Sequence, residues 1–258
     1  MSLTRILPVL LLQDGGLVKT RNFKDPVYIG DPINAVRIFN EKEVDELVLL
    51  DIAATREGRD PHYDMIRDIV SESFMPIGYG GGIRNLDQIH HLYQTGVEKI
   101  VINSAMLDFE LLTKAASKYG NQAVSVSLDV KKAFFGGYSA YTHNGSIKVK
   151  TPLVSLAQQL VDAGAGEIIV QSIDREGTMS GYDTELIRLI SDAVDVPVVA
   201  SGGAGTIEHL RDAIYEGHAS AVAAGSLFVF KGKHRAVLIS YPTGLAEQLD
   251  TEQPGQHA

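Results

Sequence analysis

P-I-G-Y-G-G-G at Pro76–Gly82 is answered 121 positions further on by P-V-V-A-S-G-G at Pro197–Gly203. In each copy a short apolar run bounded by proline ends in glycines. That pattern marks a strand stopping in a turn where another group must come close to the backbone. The same offset holds outward from the glycines. E-L-V-L-L-D-I at Glu46–Ile52 matches E-I-I-V-Q-S-I at Glu167–Ile173, and Gly96 matches Gly217 before the next apolar run. A repeat of this length predicts a duplicated half-fold. Eight β-rich runs complete the series: Ile6–Leu12, Glu46–Ile52, Pro76–Tyr79, Lys99–Asn103, Ala123–Asp129, Glu167–Ser172, Pro197–Ala200 and Ser220–Ala224. Between them Asn34–Asn40, Leu86–Thr95, Glu110–Tyr119, Leu153–Ala163, Glu185–Ala193 and Ile207–Glu216 carry apolar residues at helical spacing. Strands without strict alternation, separated by helices, imply a parallel sheet covered on both faces. Eight such units close into a barrel more readily than they split. The expected fold is therefore a single α/β (β/α)8 barrel over residues 1–242, built from two half-barrels, with a polar, partly disordered tail over 243–258. Asp31, Asn85, Asp108, Asp183 and Thr206 are the expected helix caps.

Composition narrows the function classes. A hydrophobic fraction of 45% with 21% charged residues in 258 residues can bury a large core. Thirty-two acids against 23 bases give a net charge of −9, which opposes sequence-independent binding to nucleic acid or anionic membranes. There is no cysteine, hence no disulfide and no thiolate nucleophile or metal ligand. No apolar run approaches the roughly 20 residues that span a bilayer, and the first strand-like run has no leader before it. The expectation is a cytoplasmic protein with no membrane or nucleic-acid partner. His90, His91, His143 and His234 show no metal-ligand spacing and are read as surface residues, so no metal and no cofactor is expected. The basic run Lys231–Arg235 reads as a solvated face, open to an acidic partner. Tyr141–Gly145 reads as a hairpin-like excursion with Asn-Gly at its turn.

The two glycine turns, Gly80–Arg84 and Ser201–Gly205, follow the third and seventh strands, where glycine lets backbone N–H groups approach a phosphate. Taken singly, each is as readily a tight-turn necessity. The following loops, Asn103-Ser104-Ala105 and Ala224-Gly225-Ser226, bring small residues expected to open helices with anion-favouring N-termini. Recurrence at one offset on one barrel end favours two phosphate sites formed by Gly81, Gly82, Asn103, Ser104, Gly202, Gly203, Gly225 and Ser226. Two phosphates imply a long, doubly phosphorylated ligand across the mouth.

These motifs, with R-I-L-P at Arg5–Pro8, D-G-G-L-V-K at Asp14–Lys19, G-D-P at Gly30–Pro32, D-E-L-V-L-L-D-I at Asp45–Ile52, G-A-G-E-I at Gly164–Ile168 and G-T-M-S-G-Y-D at Gly177–Asp183, carry a family resemblance from Arg5 to about Phe230. The sequence resembles the cyclase subunit of imidazole glycerol phosphate synthase. The resemblance implies a glutaminase subunit on the N-terminal barrel face. Ammonia from it would pass a ring of alternating charges, here Arg5, Glu46, Lys99 and Glu167, to a site where two aspartates close an imidazole ring. It further implies phosphate contacts from Gly177 and Thr178 and a substrate-loop role for Lys19, Asp51 and Ser201. The ring also has a bland reading, a structural ion-pair plug.

One catalytic aspartate is absent. The second falls on Asp129, but the first falls on Leu11, and leucine cannot exchange a proton. Asp14, three residues on, is the only nearby substitute, and Asp129 could instead be a strand-end carboxylate capping local amides. Glu176 stands where the family has aspartate. A retained charge ring beside a lost aspartate, together with Val9–Thr20 and Gly225–Ile239, is similar to a paralogue associated with glycosyl amidation in surface-polysaccharide (O-antigen) pathways. That similarity implies ammonia transfer, with an ATP-dependent sugar amidotransferase, onto an N-acetylated nucleotide sugar. The chain's own catalysis is then in question. The competing readings are a cyclase of histidine biosynthesis, and a non-catalytic scaffold binding a phosphorylated small molecule.

Overall fold

All eight apolar runs are strands in the computed structural model, which describes residues 4–134 and 136–251. In chain order the strands are β1 (Arg5–Gln13), β2 (Gly16–Arg21), β3 (Lys24–Gly30), β4 (Leu47–Asp51), β5 (Ile77–Gly80), β6 (Lys99–Ile102), β7 (Val124–Lys132), β8 (Tyr138–Thr142), β9 (Ile147–Lys148), β10 (Glu167–Ser172), β11 (Val198–Ser201), β12 (Ala221–Ala224), β13 (Phe230–Lys231) and β14 (Ala236–Val237). The helices are α1 (Pro32–Glu41), α2 (Ala54–Glu57), α3 (Tyr63–Ser71), α4 (Leu86–Gln94), α5 (Phe109–Tyr119), α6 (Leu153–Asp162), α7 (Thr184–Ser191), α8 (Ile207–Tyr215), α9 (Ser226–Val229) and α10 (Leu245–Thr251). Parallel pairing runs β10-β11-β12-β1-β4-β5-β6-β7, and β7 pairs back onto β10, so the eight-stranded ring is closed. The protein is a (β/α)8 barrel.

Most barrel strands are apolar on both faces because each face has something to cover; β7 instead turns Ser125, Ser127 and Asp129 inward. Outward residues such as Ile6, Leu10, Leu47 and Leu49 join the helices in the larger core, while Leu7, Val48, Val101, Ile169, Val199, Ala221 and Ala223 fill the barrel interior. The five expected caps all accept a hydrogen bond from the amide three residues on: Asp31 from Asn34, Asn85 from Gln88, Asp108 from Leu111, Asp183 from Leu186 and Thr206 from His209. His62 caps α3, a helix absent from the sequence reading.

The duplication survives in the coordinates. Gly81 lies so close to Asp51 that a Cβ would meet its carbonyl at 2.3 Å, and Gly202 stands to Ser172 in the same way at 2.6 Å. Both glycines have positive φ, +116° and +89°. Register also fixes the odd pair: Leu11 lies opposite Leu50 on β4, and Asp129 lies opposite Gln171 on β10. Leu11 and Asp129 are therefore equivalent, although they are separated by three residues fewer than the repeat.

Three features differ from the sequence reading. Asn103-Ser104 opens a turn, and the helix begins only at Phe109, behind its cap Asp108. At the matching site Ser226 does open a helix, of four residues. The polar stretch after 242 begins with α10, whose Leu245 and Leu249 are buried, so residues 245–251 are docked structure; residues 252–258 lie outside the described residues. Two antiparallel hairpins also extend barrel strands beyond the ring. β2–β3 grows from the end of β1, and β8–β9 from the end of β7, with the expected turn at His143–Gly145 between its strands.

Candidate functional site

The strand C-termini surround a cavity lined by Leu11, Lys19, Asp129, Gln171, Ser201 and the glycine turns. Period-two geometry places Ser125, Ser127 and Asp129 on one face of β7, and that face points inward. Asp129 is buried, and its Oδ1 accepts the Ser127 hydroxyl at 2.9 Å. Burial drives its pKa up to about 7, with Ser127 pulling weakly the other way. It caps no amide. Lys19, on β2, is buried, and its Nζ donates to the Val9 carbonyl at 2.7 Å. Burial lowers its pKa to about 8, against the attraction of Glu176. An acid and a base whose protonation both change near neutrality thus share one enclosed mouth.

Leu11 lines the same cavity, on the wall opposite in the duplication. Asp14 does not replace it. It sits exposed at φ +51° in the two-residue turn Asp14-Gly15 between β1 and β2, outside the cavity lining.

The glycine turns bring Gly81, Gly82, Gly202 and Gly203 to the cavity, with Asn103, Ser104, Gly225 and Ser226 beside them. Asn103 Nδ2 donates to the Ser127 and Tyr141 carbonyls, and Ser104 Oγ donates to Thr55 Oγ1 at 3.1 Å. Thr55 Oγ1 in turn accepts from Gly82 N at 3.4 Å; the sequence reading did not find it, since a threonine in a short helix carries no motif. Gly225 is constrained by Lys19, whose Nζ would be 2.1 Å from a Cβ there.

Asp51 lines the cavity. Its Oδ1 accepts the Ala53 and Ala54 amides at 3.0 Å each, and its Oδ2 pairs with Arg59 at 2.8 Å, so it anchors the start of α2. Ser201 is buried, and its Oγ donates to Gln171 Oε1 at 2.5 Å.

Gly177 lines the cavity and is also required by packing: a Cβ would lie 2.2 Å from the Thr20 carbonyl of β2. Thr178 lies outside the cavity lining, its hydroxyl donating to the Arg175 carbonyl at 2.7 Å. The loop carrying both is the landing point of the β2–β3 hairpin. Glu176 accepts from Thr20 Oγ1 at 3.0 Å and from Phe23 N at 3.1 Å, while its carbonyl accepts Asn22 N at 3.0 Å. The longer Glu176 side chain is thus fully used in holding the hairpin tip. On the other side Asn144 of the β8–β9 turn donates to the Ile52 carbonyl at 2.7 Å. Arg235 joins this arrangement by donating to the Gly177 carbonyl at 2.9 Å, so the basic run is not wholly solvated.

At the opposite end the four charges meet. Arg5 pairs with Glu46 at 3.0 Å and with Glu167, and Lys99 pairs with Glu46 at 3.0 Å and with Glu167 at 3.2 Å. The Lys99–Glu46 contact is an ion pair without hydrogen-bond alignment. Ser125 Oγ donates to Glu167 at 2.8 Å from inside the barrel. Burial would raise the Glu167 pKa, but Lys99, Arg5 and Ser125 outweigh it and hold the carboxyl below its ordinary value. The ring closes the base with each charge compensated.

His90, His91, His143 and His234 are exposed, and among the described residues no cluster could hold a metal. No helix is long and apolar enough to cross a membrane.

Comparison with known proteins agrees with this architecture. Residues 5–235 match the family described as histidine biosynthesis protein. A protein of Pseudomonas aeruginosa, provisionally named imidazole glycerol phosphate synthase subunit hisF2, is 53% identical over 239 residues, 92% of this chain and 95% of that one. A HisF protein of Leptospira borgpetersenii, also provisionally named, is 49% identical over 93% of this chain and 95% of its own, and a hisF3 protein of Vibrio vulnificus is 44% identical over 93% of each. With a closed barrel, paired glycine turns and nine-tenths of its length matched, the chain belongs to the histidine biosynthesis protein family, as a HisF-like barrel.

Proposed function

We propose that this chain is the barrel subunit of a glutamine-dependent amidotransferase complex, receiving ammonia from a glutaminase at the charge-ring end and delivering it to a phosphorylated ligand in the mouth. The acceptor reaction we favour is amidation of an N-acetylated nucleotide sugar for a surface polysaccharide, with an ATP-dependent amidotransferase as further partner. One observation carries the preference: at the paired strand ends the mouth has a carboxylate only at Asp129, with Leu11 at the equivalent position and the other lining carboxylates, Asp51 and Glu176, held by Arg59 and by the β2–β3 hairpin, while the four-residue ring at the base is complete. Ring closure by a carboxylate pair needs one group to give a proton while the other takes one, and loss of such a group costs about 10²–10⁴ in rate. Delivery of ammonia needs no such pair.

A second reading is favoured by the names of the relatives and by Asp129, which titrates near neutrality. In it the chain is an imidazole glycerol phosphate synthase cyclase working with one aspartate and Lys19. The deciding test is turnover of the aminoimidazole ribonucleotide substrate with saturating ammonium, in the unaltered chain and in Leu11→Asp. No turnover without the aspartate, and some with it, supports delivery. Full turnover in the unaltered chain overturns it in favour of the cyclase.

A further inference from the structure

The two halves of the barrel present different chemistry to the mouth. Register sets Leu11 beside Leu50 on the first half and Asp129 beside Gln171 on the second. Across the duplication Gly80 of β5 corresponds to Ser201 of β11. At these paired positions one half is aliphatic or bare, and the other offers an acid, an amide and a hydroxyl.

Gln171 is the member of that wall whose chemistry is unfinished. Its Oε1 accepts the Ser201 hydroxyl at 2.5 Å, which holds the carboxamide with Nε2 turned to the second glycine turn. There Nε2 has room because residue 202 is glycine; a Cβ at that position would stand 2.8 Å away. Nε2 is buried at the cavity wall and has no hydrogen-bond partner among the described residues. A buried donor without an acceptor costs stability that a leucine, the residue at the equivalent position 50, would not. An acceptor brought by a ligand removes the cost. A neutral acceptor suits the place, because an anion beside Asp129, the register neighbour of Gln171, would oppose the ionisation of its carboxyl.

We infer that Gln171 determines specificity in this site by donating from Nε2 to a carbonyl oxygen of the phosphate-bearing ligand, the alkyl part of that acyl group resting on Leu11 and Leu50. The ligand class is an N-acylated sugar phosphate. The inference rests on the amidation reading of the mouth and goes beyond it in naming the group that is read and the residue that reads it.

The test is calorimetric titration of the full chain with N-acetylglucosamine 1-phosphate, glucose 1-phosphate and inorganic phosphate, repeated on Gln171→Leu and Gln171→Glu. The glutamate keeps the shape and the Ser201 contact but removes the donor, so it serves if the leucine variant fails to fold. The unaltered chain is expected to bind the acetylated sugar about tenfold tighter than the glucose ester. Both variants should bring the ratio to within about twofold; glucose 1-phosphate affinity stays unchanged in Gln171→Leu, whereas in Gln171→Glu the added carboxylate weakens both sugar esters alike. Equal binding of the two sugar esters by the unaltered chain, or a preference that survives in the variants, overturns the role of Gln171 and leaves the sugar-phosphate reading standing. Binding of inorganic phosphate alone overturns both, and binding of none of the three overturns the phosphate site as well.

Discussion

Asp129 is a buried acid with one hydroxyl partner, and its ionisation should be visible in stability. Its folded pKa of about 7 lies above the ordinary value of about 4. Its contribution is therefore intact below about pH 4 and is lost as pH rises toward 7, by as much as about 4 kcal/mol. Asp129→Asn should be more stable than the parent at pH 8, with the gap narrowing toward pH 5; urea unfolding at both values checks it. Glu167 has the opposite sign. Held below its ordinary value by Lys99 and Arg5, it stabilises above about pH 4.3 and loses that contribution as pH falls. Lys99→Met should cost about 3 kcal/mol at pH 7 and much less at pH 4, seen in the same measurement. The ring members and Asp129 were legible in the sequence through the motifs that carry the family resemblance, the repeat itself matching only Glu46 with Glu167 among the ring. Gln171 was not, since an orphaned amide nitrogen exists only once Ser201 has taken the other end of the group.

Among elements, the second glycine turn and the first hairpin bear most on the mouth. Gly202→Ala places a methyl against the Ser172 carbonyl in a backbone that disfavours it, and should cost more than 2 kcal/mol and abolish phosphate binding. Gly232→Ala is the control: its φ is +71° but no atom lies within 4 Å of the new carbon, so only the backbone cost of about 1–2 kcal/mol remains. Glu176→Ala removes both side-chain acceptors at the tip of β2–β3, and hydrogen exchange at residues 20–24 should quicken at least tenfold while the barrel strands stay protected. The sequence showed both glycine turns but not this hairpin. Asp14-Gly15 is a strong turn signal followed by a β-prone run, yet the motif was read for its lysine, and nothing local says that residues 20–23 land on residue 176. The packing constraint on Gly177 was hidden for the same reason, since it comes from a strand more than 150 positions away.

For the whole molecule, the eightfold alternation and the half-barrel repeat made the fold readable, because apolar periodicity is what closes a barrel. The helix near the end of the chain was not legible, since the polar residues around Leu245 and Leu249 hid two buried side chains. Ending the chain after Thr243 removes Leu245 and Leu249, together with the Leu249 carbonyl that accepts the Tyr215 hydroxyl at 3.0 Å and the Gln248 carbonyl that accepts from Arg211 at 3.1 Å. The loss should be about 4 kcal/mol, read as a fall of roughly 10 °C in melting temperature. The hairpin contacts have a consequence in time as well as in space. With Glu176 fastening one arm and Asn144 the other over the same opening, a solute too large to slip between them must wait for a contact to break. Capture of such a solute should therefore be unimolecular in its slow step, with an observed rate that levels off as concentration rises and a residence time set by the arms as much as by the grip beneath them.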